Sequence, residues 1–437
     1  MQPAPRPSRR REANPTTLNI KDRLGRVAQV FTEGAPIQQV DLFAGRVPQM
    51  QQLLDVVHQP GKHAVVYGER GVGKTSLATV MRMILSSMEM TAVRVPCDGT
   101  DTFRSIWVKV LDEVRLVSIR QAIGFGRHEV TDTTAGADLL PANSTPNDVT
   151  RLLRTFSQDR PFVVFIDEFD RLEDGSARRL IADTIKALSD EATPSTIVVV
   201  GVAATVSELI GEHESIERAL DQIPMPRMSG PELADIVDRG LKALQMTTDP
   251  RASTIVTKLS QGLPHYTHLL AKHAARSALL GGRTELSTAD VDSAIGEGIK
   301  RAQRTIIEAY DRAVFSPRDT LYPVVLLACA MAHTDDLGYF TAASVRNPLS
   351  EVIGRRVEIP AFARHLNALS EAARGPAFIK QGTARRFRYR FVNPLLQPYV
   401  TMRGLADGRI DHNKLTSPSP DLVAARRTPR NGDETEV

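Results

Sequence analysis

The stretch "HAVVYGERGVGKTSLATV", residues 63–80, limits the folds open to this chain more than any other. An apolar run ends at Gly68, four residues follow, and Gly73, Lys74 and Thr75 complete the pattern G-x-x-x-x-G-K-[ST]. The pattern works only where a buried strand hands over to a helix. There the backbone curls so that successive N–H groups converge on phosphate oxygens, and the N-terminus of the next helix adds positive potential. Gly68, Gly71 and Gly73 supply conformational freedom. Lys74 is expected to reach the β- and γ-phosphates, Thr75 to offer its hydroxyl to Mg²⁺, and Ser76 to continue the phosphate-binding turn. The alternative, a glycine-rich turn matching by chance, does not account for the flanking strand and helix.

A second motif depends on the first. In "PFVVFIDEFDRL", residues 161–172, the apolar run Val163–Ile166 leads directly into Asp167 and Glu168. Such a pair can simply end a strand at solvent. Beside a phosphate loop, the first carboxylate is expected to hold the Mg²⁺ shell and the second to polarise an attacking water, because phosphoryl transfer depends on positioning and charge stabilisation. The ligands expected are therefore a nucleoside triphosphate and Mg²⁺.

Further runs of strand length, "TAVRVP" and "TIVVVGVA", alternate with helical patterns through about residue 227, which predicts a parallel sheet covered by helices. The polar, turn-rich stretch 122–146 reads as a surface insertion. At 437 residues, with 42% hydrophobic and 24% charged, the chain can bury two or three cores. No apolar run approaches the roughly 20 residues of a membrane span. Nothing apolar follows the arginines of "MQPAPRPSRRRE", so a cytoplasmic protein without a membrane partner is expected. Cys97 and Cys329 are the only cysteines and lie far apart, which predicts reduced thiols and no zinc site. The net charge of +4 is too small to imply nucleic acid by itself.

The region 319–405 changes character. Three helical patterns, at 321–333, 341–354 and 359–372, precede a hairpin in which Phe387, Tyr389 and Phe391 alternate with Arg386, Arg388 and Arg390, the period of a half-buried strand. This reads as a winged helix. Between 372 and 406 the basic residues are Arg374, Lys380, Arg385, Arg386, Arg388, Arg390 and Arg403, with no Asp or Glu. Such an excess suits a duplex DNA backbone, with Arg386, Arg388, Arg390 and Lys380 as candidate contacts; the alternative is a solvated strand on a domain that docks protein.

Together these motifs resemble the AAA+ and STAND branches of the phosphate-loop ATPases, in particular the origin-recognition initiators, over about 40–400. The resemblance implies an α/β P-loop NTPase core with helices on both faces of a parallel sheet, a helical lid and a C-terminal winged helix. The segments expected are a disordered basic tail at 1–20, a linker and adenine-wall segment at 21–60, the core at 61–227, the lid and linker helix at 228–318, the winged helix at 319–405 and a disordered tail at 406–437. In "DLFAGR" it makes Leu42, Phe43 and Arg46 candidates for the wall against adenine, the alternative being a helix start with a core phenylalanine. "SQGLPHYTHLLAKH" resembles the G-x-P motif of the STAND switches, placing Gly262 and Pro264 before a lid helix and His265 or His268 near the nucleotide or in packing. Arg218 corresponds to an arginine that reaches a neighbouring subunit's nucleotide, which implies a homo-oligomer; the alternative is a solvated arginine. The chain departs from the pattern at Ala203 and Ala204, where a polar sensor is expected, with Thr205 as the nearby substitute, and no second-sensor arginine is evident. Expected activity is that of a slow ATPase switch acting on DNA or an unidentified protein partner. The alternatives are an initiator-type DNA loader or remodeller and a nucleotide-stabilised scaffold without turnover.

Overall fold

A computed structural model of the protein describes residues 18–121, 129–203, 205–210, 216, 218–317, 321–335, 337–383 and 386–416, with backbone only for 115–135. Strands β1 (His63–Gly68) and β2 (Thr91–Pro96) are followed by an antiparallel hairpin, β3 (Arg115–Gln121) and β4 (Glu129–Ala135). The chain then returns through β5 (Phe162–Asp167), β6 (Ser195–Val202) and β7 (Leu220–Pro224). Five strands form one parallel sheet in the order β2-β5-β6-β1-β7, as the valine-rich runs require, since a strand covered on both faces has no polar side. β1, β5 and β6 are almost wholly buried.

Helix α1 (Ile20–Val30) precedes α2 (Val47–Val57), and α3 (Lys74–Ser87) follows the phosphate loop. Helices α4 (Phe103–Asp112), α5 (Pro146–Phe156), α6 (Gly175–Asp190) and α7 (Val206–Ile210) complete the layers over the sheet. One core, around Trp107, Phe162 and Phe169, fills the α4–α6 face. The other runs from Leu77 and Phe165 without a break into the later helices.

Those are α8 (Gly230–Ala243), α9 (Pro250–Ser260), α10 (Pro264–Leu280), α11 (Thr288–Lys300) and α12 (Arg304–Val314), with β8 (Thr247–Thr248) and β9 (Glu285–Leu286) as a two-strand parallel ladder. Prolines in the first turns of α8, α9 and α10, where no N–H is required, and a capping box at Ser229 set where the first three begin. The last region contains α13 (Leu321–Met331), β10 (Phe340–Thr341), α14 (Ala342–Ile353) and α15 (Ile359–Ala368), followed by the antiparallel β11 (Phe378–Gln381) and β12 (Arg388–Phe391). Phe340, Phe378, Tyr389 and Phe391 pack ring against ring beneath this small sheet.

Three boundaries differ from expectation. The excursion read as 122–146 begins earlier, because Arg115–Gln121 pairs with Glu129–Ala135; 122–128 lies outside the described residues. β7 carries only two buried positions in "LDQIP", which gives it no apolar run to reveal it. The segment from 406, expected as a disordered tail, is ordered at its start: α16 (Leu396–Ala406) is followed by α17 (His412–Thr416), and Ile410 and Leu415 are buried against the lid helices. The remaining parts of both expected tails, 1–17 and 417–437, lie outside the described residues. No helix of the described residues is long and apolar enough to cross a membrane.

Candidate functional site

At the carboxyl ends of β1, β5 and β6 lies a cavity of about 980 Å³. Its floor is the phosphate loop, with Gly71 (φ 89°) and Gly73 (φ 98°) in the left-handed region that favours glycine. Gly71, Gly73, Lys74, Thr75 and Ser76 all line it. Gly68 does not: a Cβ there would lie 2.4 Å from the Met225 carbonyl oxygen, so its glycine serves the close approach of the segment after β7. Lys74 is buried, and its Nζ donates to the carbonyls of Gly68 (2.9 Å) and Glu69 (2.8 Å). Burial pushes its pKa down to about 8 against the pull of Asp170, Asp167 and Glu69. A buried ammonium held by neutral carbonyls inside a curled backbone fits a bound polyanion.

The carboxylates line the same cavity in different states. Asp167 is 2% exposed; its Oδ1 accepts the Glu168 amide at 2.8 Å and the Thr75 hydroxyl at 3.5 Å. Hard oxygens from Thr75 and Asp167 converging from two elements are the donor set Mg²⁺ prefers, completed by water and phosphate. Glu168 turns out of the strand with φ 54° and lies 2.8 Å from the Arg171 guanidinium, more than a third exposed.

The far wall comes from distant sequence. Phe43 and Arg46 line it, while Leu42 is buried elsewhere. Arg46 Nη2 donates to Val72 O (3.0 Å) and Pro226 O (2.7 Å), so it rivets the phosphate loop to the lid entrance. Pro264, His265 and His268 line the cavity from the start of α10. Gly262 (φ 78°) sits outside it, hard against Arg227. His265 Nδ1 lies 2.6 Å from Glu33 O, and burial lowers its pKa. Among the described residues His268 has no hydrogen-bond partner for either ring nitrogen; burial pushes its pKa to about 4, so it is neutral, edge-on to Phe31.

Other expected residues stand away from the cavity. Thr205 is exposed and faces Ser207 (3.1 Å), Ala203 is buried outside the cavity and Ala204 lies outside the described residues; of the described residues at the end of β6, Gly201 and Val202 line the cavity. Arg218 is exposed before β7, at the opposite end of the sheet from the loop. In the hairpin, Arg386 and Arg388 are exposed. Arg388 and Arg390 lie over the Tyr339 ring, and Lys380 bonds Asn367 and covers Phe387. Arg390 does not face open solvent, as strict alternation implies; it lines a cleft with Glu69 and Arg70 of the phosphate loop. Arg385 lies outside the described residues.

Sequence reasoning missed Arg94, Asp170, Arg171 and the segment Thr32–Ile37, all of which line the cavity. Arg94 was findable as the single charge inside the apolar strand "TAVRVP". The 32–37 segment carries no motif. Also missed was a junction behind the loop: Arg227 Nε donates to Glu69 Oε2 (2.7 Å), and its Nη1 donates to Gln397 Oε1 (2.6 Å) and Gln261 O (3.2 Å).

Comparison with curated proteins finds no match. Among solved structures, the chain is similar to the Aeropyrum pernix ORC2 protein (ADPNP–ADP complexes) at 14% identity, covering 91% of this chain and 98% of that one with a TM-score of 0.46. Similarity to the Aeropyrum pernix ORC1 protein in complex with DNA is 15% over 87% and 96%, with a TM-score of 0.44. For the Thermotoga maritima RuvB Holliday junction branch migration motor it is 14% over 86% and 98%, with a TM-score of 0.42. The family model of the AAA ATPase domain matches residues 42–200, the segment that contains the phosphate loop, β5 and most of the sheet.

Proposed function

We propose that the chain is a slowly hydrolysing, Mg²⁺- and ATP-dependent switch of the STAND type, in which a C-terminal winged helix responds to the nucleotide. The observation that carries this reading is the junction at Glu69. This phosphate-loop residue pairs with Arg227, and both are nearly buried; Arg227 in turn holds Gln397 of α16, and Tyr266 of the lid donates to Leu395 O at 2.7 Å. Gly71 of the loop abuts Leu395 as well, at 3.1 Å from where a Cβ would stand. Backbone movement of the loop on phosphate binding is therefore felt directly by the last domain. Slow turnover is supported by the far end of β6, which among the described residues sends no polar side chain into the cavity, and by α10, whose cavity-lining residues are Pro264, His265 and His268.

A DNA-loading or remodelling ATPase is the second reading, favoured by the exposed Arg386 and Arg388 in a stretch without acidic residues. One experiment separates them. Donor and acceptor dyes at Lys186→Cys on α6 and Thr383→Cys at the hairpin report the distance between core and last domain, while Cys97 and Cys329 are buried. A switch gives different transfer efficiencies with ATP and ADP and turnover below about 0.01 per second. Equal efficiencies in the two nucleotides, when both bind, reject it. Fast turnover stimulated by duplex DNA establishes the loader.

A further inference from the structure

Arg94 interrupts the apolar pattern of β2, and the register of the sheet determines what it meets. Pro96 pairs with Asp167, and Arg94 shares a face with Pro96, so the arginine and the carboxylate stand on the same side of neighbouring strands. Arg94 Nε lies 3.0 Å and Nη2 2.6 Å from Asp167 Oδ2, while Oδ1 takes the Glu168 amide and faces the Thr75 hydroxyl. A carboxylate 2% exposed needs a cationic neighbour, and Lys74 is turned to loop carbonyls, so Arg94 is the cation in contact with it. The metal that Thr75 and Asp167 suit requires the same carboxylate. Two cations on one carboxylate repel each other. Arg94 also lines the cavity, and its planar fork matches phosphate as well as carboxylate.

We propose that Arg94 competes with the divalent metal for Asp167, and that on exchange its guanidinium turns onto the terminal phosphate, so that this site tells a triphosphate from a diphosphate through Arg94. The proposal rests on the ATP-switch reading.

The test follows binding, not turnover, using fluorescent ATP and ADP analogues titrated with Mg²⁺ on the parent, Arg94→Gln and Arg94→Lys. Arg94→Gln is expected to lower the Mg²⁺ concentration for half-maximal nucleotide binding by about fivefold or more, because the competitor is gone. It should also cut the preference for ATP over ADP by about tenfold at saturating Mg²⁺, through loss of a charge-assisted contact. Should Arg94→Gln fail to fold, Arg94→Lys carries the test: it keeps the carboxylate neutralised but loses the fork, and is expected to lose at least about threefold of the ATP preference. A folded variant with the parental Mg²⁺ midpoint and the parental ATP preference overturns the proposal. A parent that binds neither analogue overturns the switch reading beneath it.

Discussion

Lys74 donates both of its resolved hydrogen bonds to carbonyls of its own loop, and burial holds its pKa near 8, below the ordinary 10.5. Between about pH 8 and 10.5 the unfolded chain keeps this proton more than the folded one does. The cost of burying the charge therefore acts below that window, and the Lys74 contribution to stability improves as pH rises through it. A bound triphosphate has the reverse effect: it favours the protonated amine. ATP affinity should stay level below about pH 8 and fall above it, with proton uptake on binding. Calorimetry in two buffers of different ionisation heat checks this, and Lys74→Ala should abolish the uptake and weaken binding at least about tenfold. Glu168, half-buried and paired with Arg171, is expected to matter for turnover alone, so Glu168→Gln should retain ATP while phosphate release stops. Parental release by that variant would remove Glu168 from the chemistry. At this scale the gathering of Gly71, Gly73, Lys74 and Thr75 at one cavity was legible, because their spacing marks a strand that curls through glycines into a helix. Arg94 and Glu69 were not, because their partners are set by strand register and by the later domains.

Between elements, the Glu69–Arg227 pair is the most exposed to test, since both side chains are nearly buried. Removing one partner of such a pair leaves an uncompensated charge and costs on the order of 3–5 kcal/mol, whereas replacing both with apolar residues costs much less. Glu69→Met or Arg227→Met alone should destabilise the protein strongly in denaturant unfolding, and the double variant should recover most of the loss. Additive losses would show that the two act independently. β1, β5 and β6 announce themselves as uninterrupted apolar runs, and α14 begins after Thr341, whose side chain accepts from Ser344 N as expected of a cap. β7 and α17 are short and mostly polar outside their few buried contacts, and tertiary packing alone makes them elements.

On the scale of the whole molecule, Arg218 lies too far from its own phosphate loop to serve it, because the two occupy opposite ends of parallel strands. Its exposure leaves it accessible to a second copy. If it acts there, phosphate release per protomer should rise with protein concentration, and Arg218→Ala should flatten that dependence while ATP affinity holds. Flat activity across the range where light scattering detects assembly would sink the idea. The cavity itself is assembled from Thr32–Ile37, the loop, the end of β5 and the start of α10. A ribosome delivers those pieces in order, and the last of them, His268, arrives long after the loop. Nascent chains halted before α10 should therefore fail to retain ATP on a filter even if their sheet has formed, while chains long enough to expose α10 outside the exit tunnel should retain it. Nucleotide then acts as a late inspector of finished molecules, with no part in guiding the sheet to its shape.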